Sequence, residues 1–585
     1  MRCGVDTGGT FTDVVTADGR VAKVLSTPDD PGRAVREGLA DLDPSVLAHG
    51  TTVATNALLE RRGARVALVT NRGFADVIEI ARQDRPSLYD LWADRPEPLV
   101  PRDLRLEVDA RLDASGREIE PVGPAPAVPD GVEAVAVCLL HADLDPSHEQ
   151  AVAAALPDLD VSCSHEVSPE FREYERTVTT VVNAYLRPRC RSYLRDLHGL
   201  ADEVLVMTSA GGLIATGDAA DLPVALLLSG PAGGVVAGSA AATAAGFEGA
   251  ITFDMGGTST DVCLVQGGVP EPAAGRRAGG FPIRLPSLDI HTIGAGGGSI
   301  ARVDAGGALV VGPESAGAEP GPVCYGRGGT RPTVTDADLV LGRIPAEAVF
   351  PGLGRLDVDA ACAALEEAGA SAEGVAAVVD AAMEQALRAV SVERGVDPSD
   401  LALVAFGGAG PLHACALAEV LGMAAVVVPP RAGVLSAVGL LCAPRQRSLV
   451  RSWPAPADHQ GLQEALAELA GRARDAVGED ADVTTSVDCR YAGQSHELTV
   501  ATVEGFPDEH VRRNGYARPG APVEVIALRA TARTPAAVRP EDLGGVDRRP
   551  AQGPCVVAEA DCTIWIPEGW SADVAADGSF VVTRA

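Results

Sequence analysis

The chain of 585 residues is long enough for two to four domains, and 46% hydrophobic with 22% charged residues is ordinary for a folded protein. Its formal net charge of −32 argues against nucleic acid or an anionic membrane surface as a partner. We therefore expect an anionic nucleotide to be bound locally, by backbone N–H groups, arginines and a metal ion.

Twelve cysteines are scattered without a C-x-x-C pair, and a polar phrase already begins at residue 6, where a secretory signal would lie. These features predict a cytoplasmic protein with reduced thiols. The most apolar stretch, residues 411–441, is interrupted by Glu419 and Arg431 into pieces too short to cross a bilayer. No membrane span is predicted.

The first predicted elements are a strand over residues 2–5, a glycine turn and a hairpin return at Asp18 and Gly19. The turn reads Asp6-Thr7-Gly8-Gly9-Thr10-Phe11-Thr12-Asp13-Val14, and it recurs as Asp254-Met255-Gly256-Gly257-Thr258-Ser259-Thr260-Asp261-Val262. The second copy also follows a predicted strand and returns at Gly267 and Gly268. An unliganded pair of hairpins is the alternative, but a match in this shared context favours two phosphate-binding turns, one in each half of the protein.

This pattern assigns roles to the residues of the two turns. Asp6 and Asp254 are predicted to hold Mg²⁺ or Mn²⁺, because a carboxylate at a strand end facing a cleft suits such an ion. The residues predicted to contact the phosphates are Thr7, Gly8, Gly9, Thr10, Thr12, Gly256, Gly257 and Thr258. Asp13 and Asp261 are further catalytic candidates.

Between the two turns, buried strands are predicted over residues 64–70 and 132–140, and a helix over 166–186 that ends before Pro188. His49 and His291 each precede small polar residues and are catalytic candidates, although a lone histidine is more often structural. The second half is predicted to begin near the strand 204–208.

Two more glycine turns follow the second phosphate phrase. Gly296 and Gly297 lie in a run that is either a surface loop or a second contact to phosphates or substrate. Gly407, Gly408 and Gly410 connect a strand to a helix, as in a dinucleotide fingerprint, but the following strand ends without the acidic residue that binds ribose. These three glycines therefore fit better as the nucleoside-binding turn.

Several enzyme classes are disfavoured by missing motifs. Lys23 is the only lysine, so a P-loop and a protein-kinase lysine are both absent. The sequence holds no G-x-S-x-G elbow and no zinc-binding pattern, and Cys324 has no identifiable base beside it.

Taken together, the motifs resemble the hydantoinase A/5-oxoprolinase family, whose members include N-methylhydantoinase A subunits and the related ketone carboxylase subunits. The resemblance runs through residues 4–13, 49–57, 229–234, 253–261, 293–299, 321–326, 333–337 and 405–411. It adds Asp336 as a catalytic candidate, and it covers nearly the whole chain.

The resemblance implies an α/β protein with an actin-like ATPase fold of two related lobes, an RNase H-like duplication. The lobes are expected over residues 1–190 and 191–450, and short alternating runs predict a small, mainly β C-terminal domain over 451–585. It further implies ATP as cofactor, with phosphorylation of a carbonyl oxygen in a cyclic amide such as a hydantoin, 5-oxoproline or another lactam. A B-type hydantoinase subunit is the expected partner, in an oligomer, because the fused second half of full-length 5-oxoprolinases is missing.

Three other functions stay open from the sequence. A ketone carboxylase subunit would need a ketone and bicarbonate for ATP turnover. An actin-like nucleotide switch would bind ATP and a partner without stimulation by a small molecule. A dinucleotide-dependent oxidoreductase would bind NAD rather than ATP.

Overall fold

The computed structural model describes residues 1–8, 11–27, 30–273, 275–347, 349–350 and 354–585. These residues form an α/β protein with mixed sheets, as predicted. No described helix is both long enough and apolar enough to span a bilayer.

The first sheet has six strands and is built around the first Asp-x-Gly-Gly-Thr turn. In spatial order its strands are Leu213–Ala215, Glu203–Met207, Val46–Thr51, Arg2–Thr7, Phe11–Thr16 and Val21–Leu25. Arg2–Thr7 is antiparallel to the hairpin strand Phe11–Thr16 and parallel to Val46–Thr51. The turn therefore lies at the carboxyl end of a central strand, where ligands bind in α/β proteins.

The second sheet repeats this arrangement around the second turn. In spatial order its main strands are Val269–Pro270, Thr260–Gln266, Ala250–Met255, Ala402–Phe406, Ala425–Val428, Phe580–Arg584, Trp570–Val574 and Ala551–Gln552, and Ile290–Ile293 also pairs with Thr260–Gln266. Three antiparallel strands are followed by two parallel ones in both sheets. The predicted strand–turn–hairpin context of both phrases is confirmed.

Two apolar helices lie between the sheets and cross each other closely. Gly230–Ala244 packs on the second sheet, and Leu435–Cys442 packs on the first. A Cβ at Gly439 would lie 1.8 Å from the carbonyl oxygen of Gly233, and a Cβ at Gly4 would lie 2.3 Å from that of Ala437. Glycine is required at these crossings because the backbones touch.

The sheets take strands from both sides of the predicted boundaries at 190 and 450. Glu203–Met207 belongs to the first sheet, and Phe580–Arg584 belongs to the second. Between residues 446 and 533 a four-stranded antiparallel sheet carries its own core under the helix Leu462–Asp475. Its strands are Gln446–Ser452, Val523–Arg533, Asp482–Tyr491 and Leu498–Val500.

A separate four-stranded parallel sheet is formed between residues 66 and 163. Its strands are Asp160–Cys163, Ala134–Cys138, Val66–Asn71 and Arg105–Val108. The smaller strand pairs are Arg111–Leu112 with Glu118–Glu120, Pro272–Ala273 with Ser287–Leu288, Arg276–Ala278 with Phe281–Ile283, Ser299–Val303 with Leu309–Ser315, Val349–Phe350 with Gly354–Arg355, and Cys555–Ala558 with Thr563–Ile566. The remaining α-helices are Pro31–Gly38, Val53–Leu59, Val77–Ile80, Ser147–Ala154, Ser164–Val167, Glu173–Asp196, Thr216–Asp221, Val334–Val340, Val358–Glu367, Ala372–Val390, Gly410–Leu421 and Phe506–Asn514.

The helix predicted over residues 166–186 is wrong in its bounds. A short helix ends at Val167, and a second helix, Glu173–Asp196, runs through Pro188. Tyr193 and Leu194 are buried in the same hydrophobic core as Val5 and Leu47 of the first sheet. This packing stabilises the helical turns beyond Pro188 and outweighs the cost of a proline inside a helix.

Candidate active site

The two Asp-x-Gly-Gly-Thr turns close with the same hydrogen bond. The Gly8 N–H donates to the carbonyl oxygen of Phe11 over 3.0 Å, and the Gly256 N–H donates to that of Ser259 over 3.1 Å. Gly9 and Thr10, which were predicted to contact phosphate, lie outside the described residues. The described residues that flank each turn thus make the same closing hydrogen bond.

Each turn places two aspartates opposite each other on neighbouring strands. Asp6 pairs in register with Asp13, and Asp254 pairs with Asp261. The Lys23 ammonium lies 2.8 Å from a carboxylate oxygen of Asp13, whereas Asp261 accepts a hydrogen bond from the hydroxyl of Thr292. Only the first pair has a cation beside it among these contacts.

Burial and the charges of neighbouring aspartates raise the pKa values of Asp6 and Asp254. Burial, followed by the charge of Asp13, raises the pKa of Asp6 to about 7. Burial, followed by the charges of Asp261 and Asp6, raises the pKa of Asp254 to about 8. The charge of Asp6 in the first turn thus contributes to the raised pKa of Asp254 in the second.

This cluster suits a divalent cation. Its donors are all carboxylate oxygens, which Mg²⁺ and Mn²⁺ prefer. A bound dication would remove the repulsion that raises the pKa values of Asp6 and Asp254. The donor type fits the predicted ion, whose site stays a prediction, because among the described residues no three of these carboxylates lie close enough together to share one ion.

A glycine at the end of the neighbouring parallel strand leaves space for the first aspartate of each turn. Gly50 lies in the strand Val46–Thr51, and Gly407 directly follows the strand Ala402–Phe406. A Cβ at Gly50 would lie 2.8 Å from Oδ1 of Asp6, and a Cβ at Gly407 would lie 2.4 Å from Oδ1 of Asp254. Gly407 also has φ of +80°. Next to it, Gly408 has open space around its Cβ position, so a ligand could approach the backbone there. Gly410 begins the following helix.

Gly296 and Gly297 support the second turn rather than presenting their N–H groups to the cleft. The Gly297 N–H donates to the carbonyl oxygen of Gly256 over 2.9 Å, and the Gly296 N–H donates to the Ser299 hydroxyl over 2.9 Å. A Cβ at Gly296 would lie 2.8 Å from the nitrogen of Thr258. The predicted direct phosphate contact of these two glycines does not fit this geometry.

Gly257 and Thr258 are exposed at the tip of the second turn. Within the described residues, neither N–H group donates to a protein oxygen. These N–H groups are therefore available to phosphate oxygens. Thr7 and Thr12 are buried instead, and the Thr12 hydroxyl lies 3.2 Å from that of Ser26.

His49 is buried behind the first turn with both ring nitrogens occupied. Nδ1 lies 3.1 Å from the carbonyl oxygen of Val5, and Nε2 lies 2.7 Å from the hydroxyl of Tyr193. Burial lowers the pKa of His49 to about 4, so its ring is neutral. Burial raises the pKa of Tyr193, and the nearby hydroxyls of Thr51 and Thr7 oppose that rise. His49 therefore positions the first turn from behind, and its side chain does not reach the cleft surface.

His291 lies on a cavity of about 330 Å³ beside the second turn. Its neighbour Thr292 lines the same cavity and donates to Asp261. The structure thus brings His291 close to the second turn by way of the strand Ile290–Ile293, which pairs with Thr260–Gln266.

Asp336 does not fit the predicted catalytic role. It is the third residue of the helix Val334–Val340, where its side chain accepts from the Thr333 N–H and hydroxyl, each over 2.8 Å. The same carboxylate accepts the Cys324 N–H over 2.8 Å. These bonds form a capping box and a loop anchor, which occupy the carboxylate.

Sequence reasoning missed Ser436, whose hydroxyl lowers the pKa of Asp254 against the effect of burial. Ser436 is the second residue of the apolar helix Leu435–Cys442, so no local pattern marks it. It also missed Tyr193, which lies beyond the predicted helix end, and Gly50, whose closeness to Asp6 follows only from strand pairing.

The comparisons with known proteins agree with these motifs. The family model "Hydantoinase/oxoprolinase N-terminal region" matches residues 2–159, and "Hydantoinase/oxoprolinase" matches residues 176–448. The alpha subunit of caprolactamase from Pseudomonas jessenii is 35% identical, with 100% of this chain and 99% of that protein covered. The 5-oxoprolinase 1 of Arabidopsis thaliana is also 35% identical, over 75% of this chain and 41% of that protein.

A solved structure extends this similarity to the whole fold. The crystal structure of the ATP-dependent caprolactamase from Pseudomonas jessenii superposes with a TM-score of 0.85 at 33% identity, covering 100% of both chains. With the two family models covering most of the sequence, the chain belongs to the hydantoinase/oxoprolinase family.

Proposed function

We propose that the chain is the nucleotide-binding subunit of an ATP-dependent hydrolase that opens a cyclic amide. The observation that carries the proposal is the pair of matched glycine turns, whose aspartates Asp6 and Asp254 interact through their charges. The relatives named caprolactamase and 5-oxoprolinase support a lactam as substrate.

The chemistry follows from the inertness of amides, in which nitrogen donates electrons to the carbonyl. In the proposed reaction, the ring carbonyl oxygen attacks the γ-phosphorus of ATP and the bond to ADP breaks. Water then adds to the carbonyl carbon, and the carbon–nitrogen bond breaks with a proton passing to nitrogen, which leaves an acyl phosphate. A second water hydrolyses the acyl phosphate to the carboxylate and phosphate. The balance is one ATP and two waters consumed for each ring opened.

The residues of the cleft would position the nucleotide for this transfer, since phosphoryl transfer depends mainly on positioning and charge stabilisation. Asp6 and Asp254 would hold Mg²⁺ or Mn²⁺, which would neutralise charge on the phosphates. The N–H groups of Gly257 and Thr258 would bind phosphate oxygens, and the open backbone at Gly408 would border the nucleoside.

For the fold, we propose two related lobes of the actin-like ATPase type. Two observations support this layout. The two sheets share a strand order. The helix Gly230–Ala244 follows strands of the first sheet but packs on the second, and the helix Leu435–Cys442 follows strands of the second sheet but packs on the first. In this division the first lobe reaches to about residue 229, and the second includes the strands from 551 to 584. The sheet of residues 446–533 would be an insertion.

We further propose a multi-subunit enzyme in the cytoplasm, with a B-type hydantoinase subunit as partner. The relative named as a caprolactamase alpha subunit supports a partner chain. Free thiols at all twelve cysteines, ten of them buried, fit a reducing compartment.

The test is ADP release from the purified chain with Mg²⁺ and ATP, alone and with a candidate B-type subunit. Lactams, hydantoins, and a ketone with bicarbonate are added separately. Stimulation by a lactam or hydantoin is the expected result. Stimulation only by ketone with bicarbonate, or ATP binding without stimulation by any ring, would contradict the proposal.

A further inference from the structure

A loop between the strands Val66–Asn71 and Arg105–Val108 presents four large apolar side chains to solvent. Leu88, Tyr89, Leu91 and Trp92 are exposed by 74%, 96%, 85% and 91%. All four tryptophans of the chain lie among the described residues, and Trp92 alone of them is exposed. Exposed apolar clusters mark interaction sites, and tyrosine and tryptophan are enriched among the residues that dominate the binding energy of protein interfaces.

Hydrogen bonds within the loop fix its backbone. The guanidinium of Arg95 donates to the carbonyl oxygen of Asp84 over 2.6 Å. The Ser87 hydroxyl accepts the Asp90 N–H over 3.0 Å, and the Asp90 carboxylate accepts the Trp92 N–H over 2.9 Å. A loop that is ordered before it binds loses less conformational entropy on association, so these bonds suit a binding surface.

The end of the loop packs against the hairpin that lines the cavity beside the second turn. A Cβ at Gly280 would lie 2.4 Å from Cγ of Pro96, and the adjacent Gly279 lines the cavity. The Arg61 guanidinium also holds this end, because it donates to the Glu97 carbonyl oxygen over 3.0 Å. A chain bound to the loop would therefore lie beside this cavity.

The charge of the loop favours a different chain over a second copy of this one. Asp90 and Asp94 lie on either side of Trp92 in the sequence, and both are exposed. They are the charged residues of the segment 88–94. Two copies would bring together the same aspartates on chains of net charge −32 each, which repel. A partner with an apolar pocket and basic residues around it fits better.

The inference rests on the proposed function, which already includes a partner chain. This chain covers 41% of the 5-oxoprolinase 1 of Arabidopsis thaliana, so the larger part of that protein has no counterpart here. We propose that residues 84–96, the docking loop, bind the B-type subunit of the proposed enzyme. Tyr89 and Trp92 would insert into an apolar pocket of that subunit, and Asp94 would face basic residues at its rim.

The docking loop would anchor a larger interface. One aromatic side chain buries about 150–250 Å², whereas a stable interface buries about 1,600 Å² in total. Because the loop packs on the cavity hairpin, the remaining contacts would bring the B-type subunit next to the cavity and the second turn. The loop itself would position the partner without touching the reacting groups.

The experiment measures the affinity of the purified full chain for a B-type hydantoinase subunit from the same organism by calorimetry. The double variant Tyr89→Ala/Trp92→Ala removes both proposed anchors, and its melting temperature should equal that of wild type because both side chains are exposed. The matched control is Tyr516→Ala, which removes a tyrosine that is 49% exposed and follows the helix Phe506–Asn514. Ultracentrifugation of the chain alone measures self-association.

We expect the double variant to bind the B-type subunit about 30-fold more weakly or worse, and Tyr516→Ala to change the affinity less than threefold. Asp94→Lys should weaken binding by about 3- to 10-fold, mainly through slower association, and the loss should shrink at high salt. Wild-type affinity in the double variant, no complex of the wild-type chain with the B-type subunit, or self-association that the double variant abolishes would overturn the inference.

Ring-stimulated ADP release separates this inference from the proposed function. The double variant should release ADP slowly when the B-type subunit is limiting and at the wild-type rate when that subunit is saturating. A rate that stayed low at saturation would contradict a role in docking alone. Binding of the B-type subunit that depends on the docking loop, but without stimulation by any ring, would leave the docking loop standing and contradict the proposed hydrolase.

Discussion

The two glycine turns share a backbone but differ in how their charge is balanced. In the first, Asp13 has the ammonium of Lys23 at 2.8 Å. In the second, the partner of Asp261 among the described residues is the neutral hydroxyl of Thr292. The first turn is braced by Ser26, whose hydroxyl donates to the Gly8 carbonyl, and the second by the Gly296 and Gly297 backbone.

The difference extends to a buried histidine behind each turn. His49, behind the first, is neutral and bonded to Tyr193. His413 belongs to the helix that begins at Gly410, behind the second turn, and lies between Asp338 and Asp380. Duplication thus preserved the turn itself, while the surroundings diverged. The uncompensated second turn borders the cavity, and we propose that it contacts both the phosphates and the substrate, whereas the first turn contacts the nucleotide alone.

The largest effect is expected from Asp254→Asn and Asp6→Asn, which remove one carboxylate from each turn at nearly constant volume. If both turns share one metal and nucleotide, each change should reduce ADP release by at least about 100-fold. The melting temperature without Mg²⁺ should not fall, because each substitution relieves repulsion between buried acids. If Asp254→Asn released ADP at the wild-type rate, the second turn would not be part of the catalytic machinery.

Next in size is the pair Gly407→Ala and Gly50→Ala, which places a methyl group against the aspartate of each turn. Gly407→Ala should be worse, since its Cβ would lie 2.4 Å from Asp254 and its φ of +80° strains any other residue. Gly50→Ala meets Asp6 at 2.8 Å without positive φ. ADP release and melting temperature are compared with Gly217→Ala, where the Cβ position is empty. Equal effects at both glycines would argue against backbone strain as the cause.

The sequence was sufficient for the turns and their strands, because glycines, hydroxyls and acids at fixed spacing are local signals. The capping box of Thr333 and Asp336 was also readable as a local pattern, but the sequence was not sufficient for the contact of Asp336 with the Cys324 N–H, which only the tertiary structure reveals. The same holds for Ser436, which reaches Asp254 from a distant helix. The division of the second sheet between residues 250–428 and 551–584 was also invisible, because strand pairing across that distance leaves no local pattern.

A smaller effect should separate the roles of the turns. Lys23→Gln removes the cation beside Asp13, and we expect the KM for ATP to rise about tenfold with little change in the KM for the ring. Thr292→Val removes a hydrogen bond at the cavity and should raise the KM for the ring instead, by less than about tenfold. Steady-state kinetics with each substrate varied in turn measures both. If Lys23→Gln raised mainly the KM for the ring and Thr292→Val mainly the KM for ATP, the roles assigned to the two turns would have to be reversed.

The smallest effect concerns the two buried histidines, His49 and His413. We expect their contributions to the free energy of unfolding to depend on pH in opposite directions. Burial lowers the pKa of His49 to about 4, so between pH 4 and 6.5 the unfolded chain binds a proton that the folded chain does not, and stability rises with pH. Burial also opposes a charge on His413, but Asp338 and Asp380 outweigh it and raise the pKa to about 10. Its stabilisation is complete below about pH 6.5 and is lost as pH rises through 10.

Melting temperatures of wild type, His49→Gln and His413→Gln between pH 5 and 10 test this contrast. Groups common to all three proteins cancel in the differences. Relative to wild type, His49→Gln should become less destabilised as pH falls from 6.5 towards 5, and His413→Gln as pH rises from 7 to 10. When the melting temperatures are converted to free energies of unfolding, each difference can change by at most about 1.4 kcal/mol per pH unit, the value for one proton. If both differences were flat, the opposite charge states of the two histidines would have to be abandoned, and with them the contrast between the supports of the two turns.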